Sequence, residues 1–524
     1  MNILNTLMPT NSIKYRATRY LLAKGVVPLL RVKPVERSVL KLMEWRTMRN
    51  LKRSRTESEH PPGVEDDRAM LGLALQNTID RVLCERNISP GTIDFASRLG
   101  AHFLTSGKVM RGAEEIKSTY GTYPPSFLVI SPGEACNLHC VGCYADSGEV
   151  GEKITWSTLD RIITEAEQLW GRRFFVISGG EPLAYRSEGK GILDLAEKHN
   201  NSFFLMYSNG TLISDEVADR LARLGNLTPA ISLEGWRQKT DARRGEGVYD
   251  QILKAMERLR KAGVLFGVSL TATRNNAEEI LSEDFTDFLF DEQGAYYGWI
   301  FHYMPIGRSY TLELMPTPEQ RLWMWRRSWE IIREKKVFLA DFWNHGTASF
   351  GCISAGQFNG GGYLYINWKG SVTPCVFVPY SPVNINQVYS NGGTLTDAWS
   401  DAFFASIRRW QDGFRKERGN WMAPCIIRDH HAKLRELIAQ HEPDADDESA
   451  YQALIDPEYA RGMDDYDQAY QDLSGGIWRD YYLREPDPND GNFEDLPDLP
   501  ISRKGAVEDN SLSVDQIAIR KEST

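Results

Sequence analysis

Six short apolar runs alternate with helical patterns between residues 121 and 336, and no other feature of this 524-residue chain limits its fold so tightly. They are FLVIS (127–131), FFVIS (174–178), FFLMYS (203–208), PAISL (229–233), LFGVSLTAT (265–273) and GWIFHYM (298–304). Runs that are apolar almost throughout suit strands buried on both faces. Between them lie helix patterns. STLDRIITEAEQLW has Ser157 or Thr158 as cap, SDEVADRLARL opens on Ser214, and YDQILKAMERLRKAG is ended by Gly263. Repeated βα units imply an α/β fold with a parallel sheet or barrel, whose chemistry gathers at the C-terminal ends of the strands. Here those ends carry polar residues and glycines: SGGEP (178–182), YSNGT (207–211) and SLEG (232–235).

The first run leads into EACNLHCVGCYADSG, which holds Cys136, Cys140 and Cys143. Seven cysteines, an odd number without a secretory signal, argue against a disulfide framework and for metal or cluster ligation. Three thiolates can hold three irons of a 4Fe-4S cubane and leave the fourth iron open to a ligand. Structural zinc prefers closed four-ligand sites, for which His139 offers one further donor. GGEP taken alone reads as a strand-to-helix turn with Pro182 early in the helix.

Taken together and in order, these elements closely resemble the radical S-adenosylmethionine (SAM) superfamily, with its CxxxCxxC signature at Cys136, Cys140 and Cys143. The resemblance covers about residues 121–435. It implies a partial (β/α)₆ TIM-like barrel, a SAM-binding 4Fe-4S cluster and reductive cleavage of SAM to a 5'-deoxyadenosyl radical that abstracts a substrate hydrogen. It also implies an electron donor of the flavodoxin or ferredoxin type. Gly179, Gly180 and Glu181 match the family's GGE motif at the methionine amino group. SLEG is similar to SLDG, with Ser232 and Glu234 near the ribose or methionine end. Asp241, Arg244 and Gly245 fit DxxRG, whose arginine can pair with the SAM carboxylate; Arg243 competes for that role. Ser208 and Asn209 follow as contacts of the third-strand turn. Gly142 departs from the aromatic residue common before the last cysteine, and the adenine contact is expected to move to Tyr144.

A second cysteine set follows the barrel. YLYINW alternates, Lys369 and Gly370 turn, and SVTPC returns, so a hairpin places Cys375 five residues after Gly370. This resembles the GxxxxC element of auxiliary-cluster domains called SPASM, or Twitch when shortened, with Cys352 upstream and Cys425 downstream. It implies a second 4Fe-4S cluster with a fourth ligand from Asp429, His430, His431 or substrate. Buried structural cysteines are the alternative.

Outside the core, charge is uneven. The whole chain carries −10, which speaks against nucleic acid as a partner. Residues 1–56 carry roughly +11 around the apolar stretches YLLAKGVVPLL and SVLKLMEW, each too short and interrupted to span a membrane. Such a stretch suits peripheral membrane contact or a solvated helical layer, and the protein is expected to be cytoplasmic. The expected division is a basic helical extension (1–120), the radical SAM barrel (121–336), a small α+β auxiliary-cluster domain (337–440) and an acidic, partly irregular tail (441–524). The expected substrate is a peptide or protein, or a lipid-like molecule. The rival function is a non-catalytic iron-sulfur sensor or scaffold, which would have no need of the GGEP, SLEG and DxxRG elements.

Overall fold

The computed structural model describes residues 20, 33–84, 87–105 and 111–485. Helices α1 (Lys33–Glu57), α2 (Pro62–Cys84), α3 (Pro90–Thr105) and α4 (Arg111–Tyr120) precede β1 (Phe127–Ile130). The βα series continues with α5 (Trp156–Leu169), β2 (Phe174–Ile177), α6 (Ile192–Lys198), β3 (Phe203–Ser208), α7 (Asp215–Leu224) and β4 (Leu227–Leu233). After α8 (Arg237–Arg244) and α9 (Val248–Ala262) come β5 (Gly267–Ala272), β6 (Tyr297–His302), α10 (Pro318–Lys335) and β7 (Phe338–Asp341). The remainder carries β8 (Tyr363–Ile366), β9 (Ser371–Thr373), β10 (Tyr380–Ser381), β11 (Val383–Asn384), α11 (Ala402–Lys416), α12 (His431–His441), α13 (Glu448–Ile455) and α14 (Pro457–Ile477).

Strands β1 to β7 pair in sequence order as a parallel sheet. All six expected strands are present. β7 is additional: at four residues, following a long helix with only the turn at Lys336 between them, it carries little strand signal of its own. The other edge is extended too. β8 pairs parallel with β1, Phe127 opposite Tyr363; β9 adds antiparallel to β8, and β11 antiparallel to β9. The expected hairpin therefore shares the barrel's sheet. Its turn needs Gly370, at φ +82°, where a side chain would strike Asn386.

Period-two alternation explains why the runs are apolar throughout. Leu128, Ile130, Phe175, Ile177, Phe204 and Met206 are fully buried on one face. Phe127, Val129, Phe174, Val176, Leu205 and Tyr207 point the other way, into a central cavity. Each fully buried side chain of this kind contributes about 1.5–3 kcal/mol. Ser214 caps α7 and left-handed Gly263 ends α9, as expected, whereas the cap of α5 is Thr155, whose hydroxyl accepts from Thr158 N.

Residues expected to form an acidic, partly irregular tail are helical in α13 and α14. The physical reason is their aromatic content: Tyr470, Trp478, Tyr481 and Tyr482 are buried in the main core. The carboxylate of Asp66 on α2 joins Arg55 of α1 to Arg484, so both ends of the described chain lock together. Most of YLLAKGVVPLL, and the chain beyond residue 485, lie outside the described residues. Among those described, no helix is long and apolar enough to cross a membrane.

Candidate functional site

The loop between β1 and α5 is held as a compact unit. Cys136 N donates to Gly148 O at 2.7 Å, and Gly133 bridges to Lys153. Arg308, in the loop after β6, fastens it from outside: its side chain reaches Cys140 O at 2.5 Å, Asp146 Oδ1 at 3.0 Å and Ser147 O. No motif marked this arginine, because its partners are backbone carbonyls more than 160 residues away. Gly142 has φ +63°, and a Cβ there would lie 2.6 Å from the Tyr303 ring. The space that an aromatic residue would need is thus already taken by Tyr303.

The GGEP turn packs backbone to backbone on this loop. A Cβ on Gly180 would stand 2.1 Å from Glu134 O, and one on Gly179, at φ +119°, 2.6 Å from Gly133 O. Both glycines are therefore demanded by the loop itself. Glu181 is 1% exposed and accepts from Leu183 N, Ser208 Oγ and Asn209 N at 3.1, 2.9 and 2.8 Å. Its carboxylate ties the β2 turn to the β3 turn from behind the cavity wall, and burial raises its pKa. Asn209 Nδ2 approaches Cys136 Sγ at 3.7 Å. Tyr144 accepts from Gly179 N at 3.2 Å and shares a 2.8 Å hydrogen bond with Ser178.

Glu234 draws both arginines inward. Its Oε1 receives Arg243 Nη1 at 2.6 Å and Arg244 Nε and Nη2 at 2.9 and 2.5 Å, while Oε2 is buried without a partner. Burial would lower the Arg244 pKa, but Glu234, Cys140 and Cys143 more than offset this and the net shift is upward. The arginine expected to pair with the SAM carboxylate thus already has a carboxylate partner within the protein.

Cys136, Cys140, Cys143, Tyr144, Gly179, Gly180, Ser208, Asn209, Ser232, Arg243 and Arg244 line one cavity of about 470 Å³. Its far wall is aromatic, with Phe127, Phe174, Trp299, Phe301, Phe338 and Tyr363. Among the described residues no three His, Cys, Asp or Glu side chains converge on a single ion position. Cubane ligation needs no such point, since each thiolate binds a different iron. Burial pushes the Cys136 thiol up to about 11, and iron bound there would hold it as thiolate. The loop, whose three thiols open onto a large cavity also lined by Ser208, Ser232 and Arg244, fits a cluster with a second polar ligand beside it.

His302, Asp341 and His345 also face this cavity, yet none has an idle ring nitrogen or carboxylate. His302 accepts from Arg428 at 2.7 Å and donates to Asp341 Oδ2 at 3.0 Å. Asp341 Oδ1 receives Trp343 N and Asn344 N, and His345 is held by Asp341 N and Ser328. Burial lowers both histidines to about 4.

The second set, Cys352, Cys375 and Cys425, comes together from three segments. Burial pushes Cys375 up to about 12 and raises Cys425 well above the ordinary thiol value, with Cys352 and Cys375 among the neighbours that raise Cys425. Asp429, expected as a fourth ligand, is committed elsewhere: it is fully buried in an ion pair with Arg321 and accepts from Cys425 N at 3.0 Å. Arg321 holds its carboxyl below the usual range against the cost of burial. His430 and His431 each bond a backbone carbonyl, of Ala423 and Ile427, at 3.0 and 3.1 Å.

Comparison with known proteins agrees with this geometry. The sequence pattern of the radical SAM superfamily matches residues 130–281. Mycofactocin maturase MftC of Mycobacterium ulcerans is 32% identical over 304 residues, which cover 56% of this chain and 79% of that protein. The MftC of Mycolicibacterium smegmatis is 30% identical over 291 residues, 53% of this chain and 71% of its own. An AdoMet-dependent heme synthase of Methanosarcina barkeri is 26% identical over 292 residues, 51% of this chain and 81% of that one. With its three-cysteine loop at the mouth of the barrel and two relatives of 30% identity or more aligned over most of their length, the chain belongs to the radical SAM superfamily, enzymes whose family implies a 4Fe-4S cluster and SAM.

Proposed function

We propose that this enzyme takes a hydrogen atom from an unreactive C–H bond on an apolar group seated in the barrel cavity, the substrate being a peptide or protein, with a lipid-like molecule as the second class. The observation that carries this reading is the opening of three thiols from one loop onto an aromatic-walled cavity of about 470 Å³. When bound, the cluster and SAM supply a 5'-deoxyadenosyl radical, the hydrogen-abstracting agent. Cys136, Cys140 and Cys143 would hold that cluster. Ser208, Ser232, Tyr144, Arg244 and the Gly179–Gly180 turn border the adjacent space that SAM would take. Glu181 acts one step back, holding the turn. Glu234, which does not line the cavity, acts through Arg243 and Arg244, whose side chains it holds at the cavity wall. Aromatic walls exclude water, which protects a reactive radical from side reactions. Because His302, Asp341 and His345 are fully engaged, that end of the cavity orients the substrate and offers no free base.

Cys352, Cys375 and Cys425 are proposed to hold a second 4Fe-4S cluster within a Twitch-like unit spanning residues 337–440. The maturase names of the MftC relatives favour a peptide precursor as substrate. The lipid class draws on α1, where Leu42 and Trp45 are exposed and Arg49 stacks over Trp45 at 5.4 Å. Such a face suits an anionic membrane surface. Salt-sensitive co-sedimentation with anionic vesicles is expected, and full recovery in the supernatant at low salt would remove the lipid class.

Anaerobic incubation with SAM and reductant should release 5'-deoxyadenosine. A sensor or scaffold would release none. Comparison of peptides and lipids between cells with and without the gene would then identify the substrate.

A further inference from the structure

Tyr363 opens β8 and faces two ways. Its ring lines the cavity and stacks on Phe127, with centroids 5.3 Å apart and 19° between planes. Its hydroxyl lies 2.8 Å from Cys375 Sγ. Val376 N donates to the same oxygen at 3.3 Å; a thiolate has no proton to give, so with Cys375 as a ligand the phenolic O–H is the donor to sulfur. Phe377 N adds a longer approach to that sulfur, at 3.5 Å. Two donors of different kinds therefore converge on one buried sulfur.

We propose that Tyr363 is a positioning residue that donates a hydrogen bond to the Cys375 thiolate and thereby raises the reduction potential of the auxiliary cluster, a role that rests on the reading of Cys352, Cys375 and Cys425 as cluster ligands. Reduction places more negative charge on the cysteine sulfurs, so a donor stabilises the reduced form more than the oxidised one. The hydroxyl works from a buried position, where a charge-assisted hydrogen bond is stronger than in water. Its ring is fixed by the Phe127 stack and by the parallel pairing of the two residues, which leaves the hydroxyl little freedom to turn away from the sulfur.

The test uses the full chain with Cys136, Cys140 and Cys143 replaced by Ala, so that only the auxiliary cluster reports. Tyr363→Phe in that background keeps the ring and removes the hydroxyl. About four irons per chain are expected with and without the change, as a cubane requires. The midpoint potential, read by redox titration with electron paramagnetic resonance, should become more negative. Equal iron and an equal potential would reduce Tyr363 to a packing residue while leaving the auxiliary cluster in place. Absence of iron from the core-triad variant itself would overturn both readings. Should Tyr363→Phe fail to fold, a fluorotyrosine placed at position 363 alone, a stronger donor in the same ring, supplies the second measurement: the midpoint potential should become more positive, and a potential that does not move would overturn the proposal.

Discussion

The two cysteine groups are assembled in opposite ways. Cys136, Cys140 and Cys143 share one loop, whose shape is set by short backbone contacts and by glycines that admit them. Cys352, Cys375 and Cys425 arrive from segments tens of residues apart, and ion pairs and aromatic packing bring those segments together. Arg321 on α10 reaches Asp429, which in turn holds Cys425 N. Phe377, next to Cys375 but one, packs on Trp343 at 4.7 Å. A loop of close contacts tolerates few substitutions and takes its ligands from one short segment, with Arg308 and the GGEP turn bracing it from outside. A site gathered from three segments depends on the whole surrounding core.

The largest expected effect bears on that contrast directly. Any one of Cys136→Ala, Cys140→Ala or Cys143→Ala should abolish SAM cleavage, measured as 5'-deoxyadenosine, and wild-type-like turnover in one of them would defeat the assignment. Replacing Cys352, Cys375 and Cys425 together should leave the core cluster and lose about four irons per chain. Unchanged iron content there would return those cysteines to packing roles.

Arg321→Met should be next in size. It leaves the buried Asp429 carboxylate uncompensated, at a cost of about 3–5 kcal/mol. Chemical denaturation would measure this, and iron loss should fall on the auxiliary set first. Equal loss from both sites would erase the distinction between local and tertiary assembly.

Acid offers a milder probe of the same region. His345 and His431 are lowered to about 4 by burial. A depressed pKa means that the unfolded chain binds more protons, so the stabilisation is present above the unfolded value near 6.5 and is lost as pH falls toward 4. Each histidine should remove about 2 kcal/mol between pH 7 and pH 5. Denaturation midpoints at the two pH values, with His345→Gln for comparison, would check it; a flat profile would contradict the buried neutral assignment.

Smallest is Glu181→Ala. Because Glu181 braces two turns from behind the cavity wall, SAM binding should weaken several-fold while core iron is retained. Complete loss of iron would instead make it part of the loop's own support.

Most of the barrel was legible in the residues. Short runs that are apolar almost throughout, spaced by helix patterns, mark strands buried on both faces, and the three-cysteine loop, GGEP and SLEG declare themselves because their parts lie within a few positions of one another. β7 was not legible, being four residues long and given its place by pairing with β6. The helical course of residues 448–477 was also hidden, since acidic composition suggests exposure, while Ala453, Tyr459, Met463 and Tyr470 supply the burial that orders it.

By itself, then, the amino-acid sequence determined the order of strands and helices and the chemistry offered at the strand ends. Those properties follow from side-chain periodicity, capping and backbone freedom, which act over one or two turns of chain. The tertiary structure alone decided which carboxylates and arginines were already spent on one another. Glu181 on the β3 turn, Asp429 on Arg321 and Arg308 on the cysteine loop are pairings between distant segments, and even Arg244 on Glu234, ten residues apart, depends on how α8 folds back on the β4 turn. A charged group moved into a low-dielectric interior must find a partner, and which partner lies within reach depends on how the segments pack.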